Sequence, residues 1–233
     1  MKKNILITGS SSGIGQEIAL TLAKDNNIFL TGRRKIDKPN YFSCDLGNIY
    51  EIETLHNKAI EYFGRNIDVL INCAGQYCYK PIEKMTFNEI SELLNVNFKA
   101  AYILSSLVIP KMKEQRWGRI INIGSISGVV GEANATLYSA TKSAFTGLTK
   151  ALALEVAQYD ITVNQINPGW VETPLTYKAL NEEERKEVID ITPQKRFVTT
   201  KEVASLCKYL ISQEAKSLTG QGINLCAGLS CGC

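Results

Sequence analysis

The chain has 233 residues, 45% hydrophobic and 21% charged, a length and balance that suit one good core in a single unit spanning 1–233. Its 26 basic and 23 acidic side chains leave a net charge of +3, too small and too dispersed for a protein that binds nucleic acid or a membrane surface. No run of about 18 apolar residues predicts a transmembrane helix. The start, Met1-Lys2-Lys3-Asn4-Ile5, enters a strand pattern with no cleavable apolar region, so the expected location is the cytosol.

In chain order, an apolar run at Asn4–Thr8 predicts the first strand, and helical periodicity follows over Gly13–Asp25. Further strands are predicted at Asn27–Thr31, Tyr41–Cys44, Ile67–Asn72, Arg119–Gly124, Ile161–Ile166 and Gly222–Cys226. Helices are predicted at Ile49–Phe63, Phe87–Glu114, Thr136–Gln158, Glu182–Asp190 and Thr200–Ser212. Several strands are nearly continuous apolar runs, as strands buried on both faces are. The alternation of strands and helices predicts a doubly wound parallel sheet, a Rossmann-type α/β/α sandwich. Between the second and third strands, residues 33–40 are too few for a crossover helix, and Pro39 opposes one, so a loop is expected. Pro110 lies inside the long pattern Phe87–Glu114 and predicts one kinked helix.

The first strand–helix junction reads Thr8-Gly9-Ser10-Ser11-Ser12-Gly13-Ile14-Gly15. Glycines at this place let backbone approach a diphosphate, and the following helix offers unpaired N–H groups; Gly9, Ser11, Ser12, Gly13, Ile14 and Gly15 are therefore candidate cofactor contacts. An NAD site usually has an acid at the end of the second strand. Here that end reads Leu30-Thr31-Gly32-Arg33-Arg34. Guanidinium groups suit a 2′-phosphate, so Arg33 and Arg34 favour NADP(H) over NAD(H), the other reading being a solvated basic loop. Asp45, followed by Leu46, either accepts a bond from the adenine amino group or caps a helix. Asn72-Cys73-Ala74-Gly75 ends the fourth strand with small residues that admit a cofactor; Asn72, Ala74 and Gly75 are candidate contacts.

Tyr138 and Lys142 are four apart and share a helix face. An ammonium beside a phenol lowers its ordinary pKa of about 10 and fits it to move a proton to or from a carbonyl oxygen. Ser125, thirteen residues upstream of Tyr138, can donate to the same oxygen; Ser127 is its rival on chemistry alone. Asn95 and Asn97 lie in the long helix, where a buried Asn holds either a relay water or a plain hydrogen bond. The one histidine, His56, is far from these motifs and reads as a surface residue, which argues against a histidine-based hydrolase or dehydrogenase. The seven cysteines, Cys44, Cys73, Cys78, Cys207, Cys226, Cys231 and Cys233, show no zinc-ligand spacing and are expected as reduced thiols, with no metal.

Together these residues resemble the short-chain dehydrogenase/reductase family of the single-domain kind, along almost the whole chain and in the family's motif order. The resemblance implies a nicotinamide cofactor and a catalytic set of Asn97, Ser125, Tyr138 and Lys142, choosing Ser125 over Ser127 and Asn97 over Asn95. It implies that Tyr138 and Lys142 also touch the cofactor, and that Pro168, Gly169, Val171 and Thr173 contact the nicotinamide carboxamide. It further implies a mobile lid after Thr173 and a homotetramer, or homodimer, packed through the two long helices. Val171-Glu172-Thr173, Lys195-Arg196-Phe197 and Thr219-Gly220-Gln221-Gly222 are similar to the reductases of 3-oxoacyl groups on acyl carrier protein. Gln76-Tyr77-Cys78-Tyr79-Lys80 and Tyr159 depart from that branch. The expected activity is NADP(H)-linked interconversion of a ketone and a secondary alcohol on a small-molecule or acyl substrate. An NAD-dependent alcohol or sugar dehydrogenase is the alternative, and a non-catalytic nucleotide sensor or scaffold is the alternative of another class. The substrate lining is expected among residues 76–80, 131–136 and 170–186, with Trp170 either against substrate or over the core.

Overall fold

A computed structural model describes residues 2–231. Met1, Gly232 and Cys233 lie outside the described residues, so the expectation of a reduced thiol at Cys233 is not addressed by the fold. In chain order the elements are β1 (Asn4–Ile7), α1 (Gly13–Leu22), β2 (Asn27–Gly32), β3 (Tyr41–Ser43), α2 (Ile49–Phe63), β4 (Val69–Asn72) and α3 (Phe87–Leu94). They continue with α4 (Ala100–Gln115), β5 (Gly118–Ile123), α5 (Ser127–Val130), α6 (Thr136–Val156) and β6 (Ile161–Pro168). The last are α7 (Pro174–Ala179), α8 (Glu182–Ile191), α9 (Thr200–Leu210) and β7 (Gly222–Leu225).

The seven strands form one parallel sheet in the order β3-β2-β1-β4-β5-β6-β7, the doubly wound arrangement. Every residue of β1, β4, β5 and β6 is buried. The period of two sends Leu6, Leu70, Ile120 and Val163 into a core shared with α2 and α4. Ile5, Ile7, Val69, Ile71, Ile121 and Ile166 go to the opposite core, shared with α1 and α9. Caps fix where helices start. Thr86–Glu89, Asn181–Glu184 and Thr199–Glu202 form reciprocal capping boxes at α3, α8 and α9. Residues 33–40 contain no helix, and Asn40 joins the short connection to β2, its carbonyl accepting from Leu30 N at 2.8 Å.

Several features differ from the sequence expectation. Between α3 and α4, Asn95–Lys99 is a single π-turn in which Ala100 N–H donates to Asn95 O, so helical structure runs from Phe87 to Gln115 with its irregularity at 95–99 and continues helically through Pro110. This stretch is long and apolar enough by length and composition to cross a membrane, but 44% of its most apolar window is buried in the protein, where it packs on α2, β4 and β5. The pattern ending at Gln158 closes as α-helix at Val156, followed by one 3-10 turn at Ala157–Tyr159. The short helices α5 and α7 carry too few turns to leave a periodic signature. His56, expected on the surface, is half-buried on α2, and burial lowers its pKa.

Across the sheet's α4/α6 face runs a buried polar ladder. Asn72 Nδ2 donates to Asn122 Oδ1 at 2.8 Å, and Asn122 Nδ2 donates to Thr149 Oγ1 at 3.0 Å. It ties β4 and β5 to α6 directly beneath the cleft. Asn122→Ala strands the amide of Asn72 and the hydroxyl of Thr149, and is expected to cost about 2 kcal/mol in urea denaturation.

Candidate active site

The carboxyl ends of β1, β4, β5 and β6 open into a cleft at the point where the strand order reverses, between β1 and β4. It has two parts that meet at Ile14, Thr173 and Leu175. The larger is a cavity of about 420 Å³ against Gly9, Ser11–Gly15, Gly32–Arg34, Asp45, Leu46 and Ala74–Gln76. The smaller, about 100 Å³, lies against Tyr77, Ser125, Ser127, Glu132, Tyr138, Trp170, Val171 and α7.

Ser12 is the N-cap of α1, yet its side chain makes no cap, and no acidic residue occupies the first turn. The first N–H groups of α1 therefore face the larger cavity, a setting that favours an anion. Close packing demands the glycines. A Cβ on Gly9, whose φ is +68°, would lie 2.7 Å from Ala74 Cα, and one on Gly15 would lie 2.4 Å from Gly9 O. At the end of β2, Arg33 and Arg34 are exposed and make no ion pair among the described residues; Arg34 Nη1 donates to Ser11 O at 3.3 Å. Beside them the buried Tyr41 hydroxyl lies next to Ser11, and a Cβ on Gly32 would meet it at 2.9 Å. An uncapped helix end, a glycine cradle and two guanidinium groups without an ion pair among the described residues fit the phosphates of a dinucleotide. Asp45 does not cap α2. Its Oδ1 accepts from Gly47 N at 2.9 Å, while Asn48 is the residue that caps the helix. The capping reading of Asp45 is thus corrected, and Asp45 stays at the cavity edge with Leu46 packed inward.

On the other side, α6 projects Tyr138 and Lys142 toward the strand ends. Lys142 is 4% exposed, and its Nζ donates to Ile123 O at 2.9 Å. Burial pushes its pKa down to about 8. The Tyr138 phenol is pushed up to about 12 by burial; the Ser125 hydroxyl opposes this and Glu132 adds to it. The direction is opposite to that expected from a neighbouring ammonium: desolvation of the phenolate dominates, and the Lys142 ammonium, 5.8 Å from the ring centre, does not offset it. Ser125 and Ser127 are both buried in the same wall, Ser125 Oγ donating to Ser127 Oγ at 3.2 Å. Asn97 is wholly buried. Its Oδ1 accepts from Gln76 N at 2.7 Å, and its Nδ2 donates to Gln76 O at 2.9 Å and to Thr141 Oγ1 at 3.3 Å. These are the plain hydrogen bonds of the two readings, and they hold Gly75–Gln76 against α6. Asn95 lies outside both cavity linings.

After β6, Pro168 O accepts from Ile126 N and Gly169 N donates to Leu225 O, so Pro168–Val171 form the cavity's edge. Thr173 caps α7 and packs on Gly13. Trp170 is half-buried in the lining, its ring 6.0 Å from that of Tyr77, which in turn stands edge-on to Tyr138 at 5.0 Å. Sequence reasoning placed Tyr77 and Glu132 only within broad lining segments. Glu132 accepts hydrogen bonds from the Tyr77 hydroxyl and, at 2.7 Å, from Ser127 Oγ. An acid six residues before Tyr138 was the available signal.

The profile of the family described as short chain dehydrogenase matches residues 3–185. The chain is a short-chain dehydrogenase/reductase. Its curated relatives include a D-beta-hydroxybutyrate dehydrogenase of Rhizobium meliloti (strain 1021), 35% identical with 98% of both chains covered. A 3-oxoacyl-[acyl-carrier-protein] reductase of Buchnera aphidicola subsp. Schizaphis graminum is 34% identical, with 98% of this chain and 97% of that one covered. Among solved structures, a variant of actinorhodin polyketide ketoreductase with NADPH is similar at TM-score 0.92 and 32% identity, covering 99% of this chain and 98% of that one. A 4-hydroxyisoleucine dehydrogenase complexed with NADH is similar at TM-score 0.92 and 30% identity over the whole of both chains. This short-chain dehydrogenase/reductase is accordingly an oxidoreductase of alcohol and ketone substrates with a nicotinamide cofactor.

The Gly9 contact gives a direct test. Gly9→Ala combines a left-handed φ with a backbone clash, and is expected to cost about 2 kcal/mol or more of unfolding free energy in chemical denaturation.

Proposed function

We propose that this protein reduces a ketone to a secondary alcohol with NADPH, with Tyr138 as the proton donor and Ser125 as the donor that polarises the carbonyl. The carrying observation is that the Tyr138 and Ser125 side chains line one small cavity whose other end opens on the uncapped start of α1. When bound, the cofactor supplies the hydride. Tyr138 is protonated at neutral pH, as an acid for reduction must be. Ser125 rotates its proton from Ser127 toward the substrate oxygen. Lys142 keeps a positive charge beneath the phenol and offers it to the ribose hydroxyls. Asn97 is a positioning residue, holding Gly75–Gln76 next to Lys142; a Cβ on Gly75 would lie 3.2 Å from that ammonium.

On the same reading Gly9, Ser11, Ser12, Gly13, Ile14 and Gly15 hold the diphosphate, while Arg33 and Arg34 take the 2′-phosphate. Asp45 and Leu46 border the adenine, and Asn72, Ala74 and Gly75 lie against the cofactor. Pro168, Gly169, Val171 and Thr173 meet the carboxamide. The whole chain works as one nucleotide-binding unit, in the cytosol, as a homotetramer packed through the faces of α4 and α6, where Tyr102 and Leu154 are exposed.

Tyr138→Phe is expected to lower kcat for ketone reduction about 10³-fold while NADPH binding, followed by fluorescence, stays within about twofold. A variant that keeps its turnover overturns the assignment of the proton donor. NADPH is expected to bind at least about tenfold tighter than NADH, a preference lost in Arg33→Ala/Arg34→Ala; tighter NADH would instead send the substrate search to alcohols and sugars.

The pH profile has a defined sign. Lys142 is charged below about 8 and neutral above it. Reduction that relies on its charge therefore loses kcat/KM as pH rises through about 8. A profile flat from pH 7 to pH 9.5 would contradict that role.

A further inference from the structure

The substrate end of the cleft carries a fixed negative group. Among the described residues its lining includes Glu132 and no Lys, Arg or His. Lys178 lines only the adjoining larger cavity, and other nearby cations are engaged elsewhere. Lys80 pairs with Glu89 at 2.8 Å, and Arg185 stacks on the Tyr177 ring and donates to Leu180 O at 3.0 Å. Lys142 lies beneath the phenol with its ammonium on Ile123 O.

Glu132 is held in place from both sides. It follows Gly131, whose φ is +79°, in the connection between α5 and α6. Two residues on, Asn134 has φ +60°, accepts from Lys80 N at 2.5 Å and donates from Nδ2 to the Tyr79 hydroxyl at 3.1 Å. The carboxylate accepts the Tyr77 hydroxyl on Oε1 and Ser127 Oγ on Oε2. Those bonds use two of its roughly four lone-pair positions, leaving acceptor capacity toward the cavity. Ser125 touches Ser127, so Glu132 stands two hydrogen bonds from the group expected to hold the reacting oxygen.

We propose that Glu132 selects the substrate by charge: the pocket takes ketones that carry a hydroxyl or ammonium donor a few bonds from the carbonyl, and rejects 3-oxo carboxylates. This rests on the reading of the cleft as a ketone-reducing site. A donor gains a charge-assisted hydrogen bond to Glu132. A carboxylate in the same place meets a like charge in a partly desolvated cavity whose described lining holds no Lys, Arg or His to offset it. The aromatic walls, Tyr77 and Trp170, and the small volume restrict the choice to compact molecules.

The test uses two ketones of nearly equal size, 4-hydroxybutan-2-one and acetoacetate, titrated against the protein without added cofactor, so that no positive nicotinamide contributes, and followed by tryptophan fluorescence, since Trp170 lines the cavity. The wild type is expected to bind the hydroxyketone at least about tenfold tighter. Glu132→Gln is expected to bring the two within about threefold. Tyr77→Phe keeps the carboxylate and is expected to retain the preference. Equal or tighter binding of acetoacetate by the wild type overturns the proposal. So does a preference that survives intact in Glu132→Gln, or binding of neither ketone. Because the readout is binding, a protein that shows this order yet turns over neither ketone removes the reductase reading and leaves the charge selection standing.

Discussion

The cleft depends on how β1 and β4 part at their carboxyl ends. There the Thr8 hydroxyl accepts from both Cys73 N and Ala74 N at 3.0 Å, while Gly9 turns away so close to Ala74 that a Cβ on it would lie 2.7 Å from the Ala74 α-carbon. One side chain thus satisfies two backbone donors that the sheet has released, and holds the floor of the cleft closed. Two walls of the larger cavity leave this junction: α1 on one side, and Gly75–Gln76 on the other, where Asn97 catches them.

The strands were legible because buried parallel strands have little choice of composition. Runs such as Ile5-Leu6-Ile7 and Val69-Leu70-Ile71 must be apolar on both faces. Their ends moved by a residue or two, since termini are decided by local caps and not by burial. The π-turn was invisible, because Asn95–Lys99 keeps an ordinary helical pattern of apolar residues around it. Helix α7 is set by a Thr173 cap and Pro174 over six residues, which is too short for periodicity to register. Asp45 shows the limit of a single-residue reading. An aspartate before a helix can cap it, but the neighbouring Asn48 sits one turn closer and wins.

Within the site, motifs forced by backbone sterics or helical spacing were easier to read than the groups that line the smaller cavity. Glycine at Gly9 or Gly15 is forced by sterics, and the pairing of Tyr138 with Lys142 by helical spacing. Glu132 lies in a connection without a repeat, and only its hydrogen bonds to Tyr77 and Ser127 reveal that it faces inward. The same difference explains Tyr138. The proximity of an ammonium can be read from spacing, whereas the opposing effect of burial needs the walls around it.

The π-turn at Asn95–Lys99 carries one residue more than a regular helix would need. Each residue of an α-helix turns the chain by roughly 100°, so the surplus residue sets the angular phase of everything before it relative to everything after it. Deleting one residue here would let α3 and α4 fuse into an unbroken ladder, a gain in local regularity. The same deletion would swing the asparagine off Gln76 and rotate the whole of α3 against its neighbours. A shortening that tidies the helix is thus a frameshift in three dimensions, and the irregularity functions as a register mark that keeps two halves of one helix addressed to different tasks.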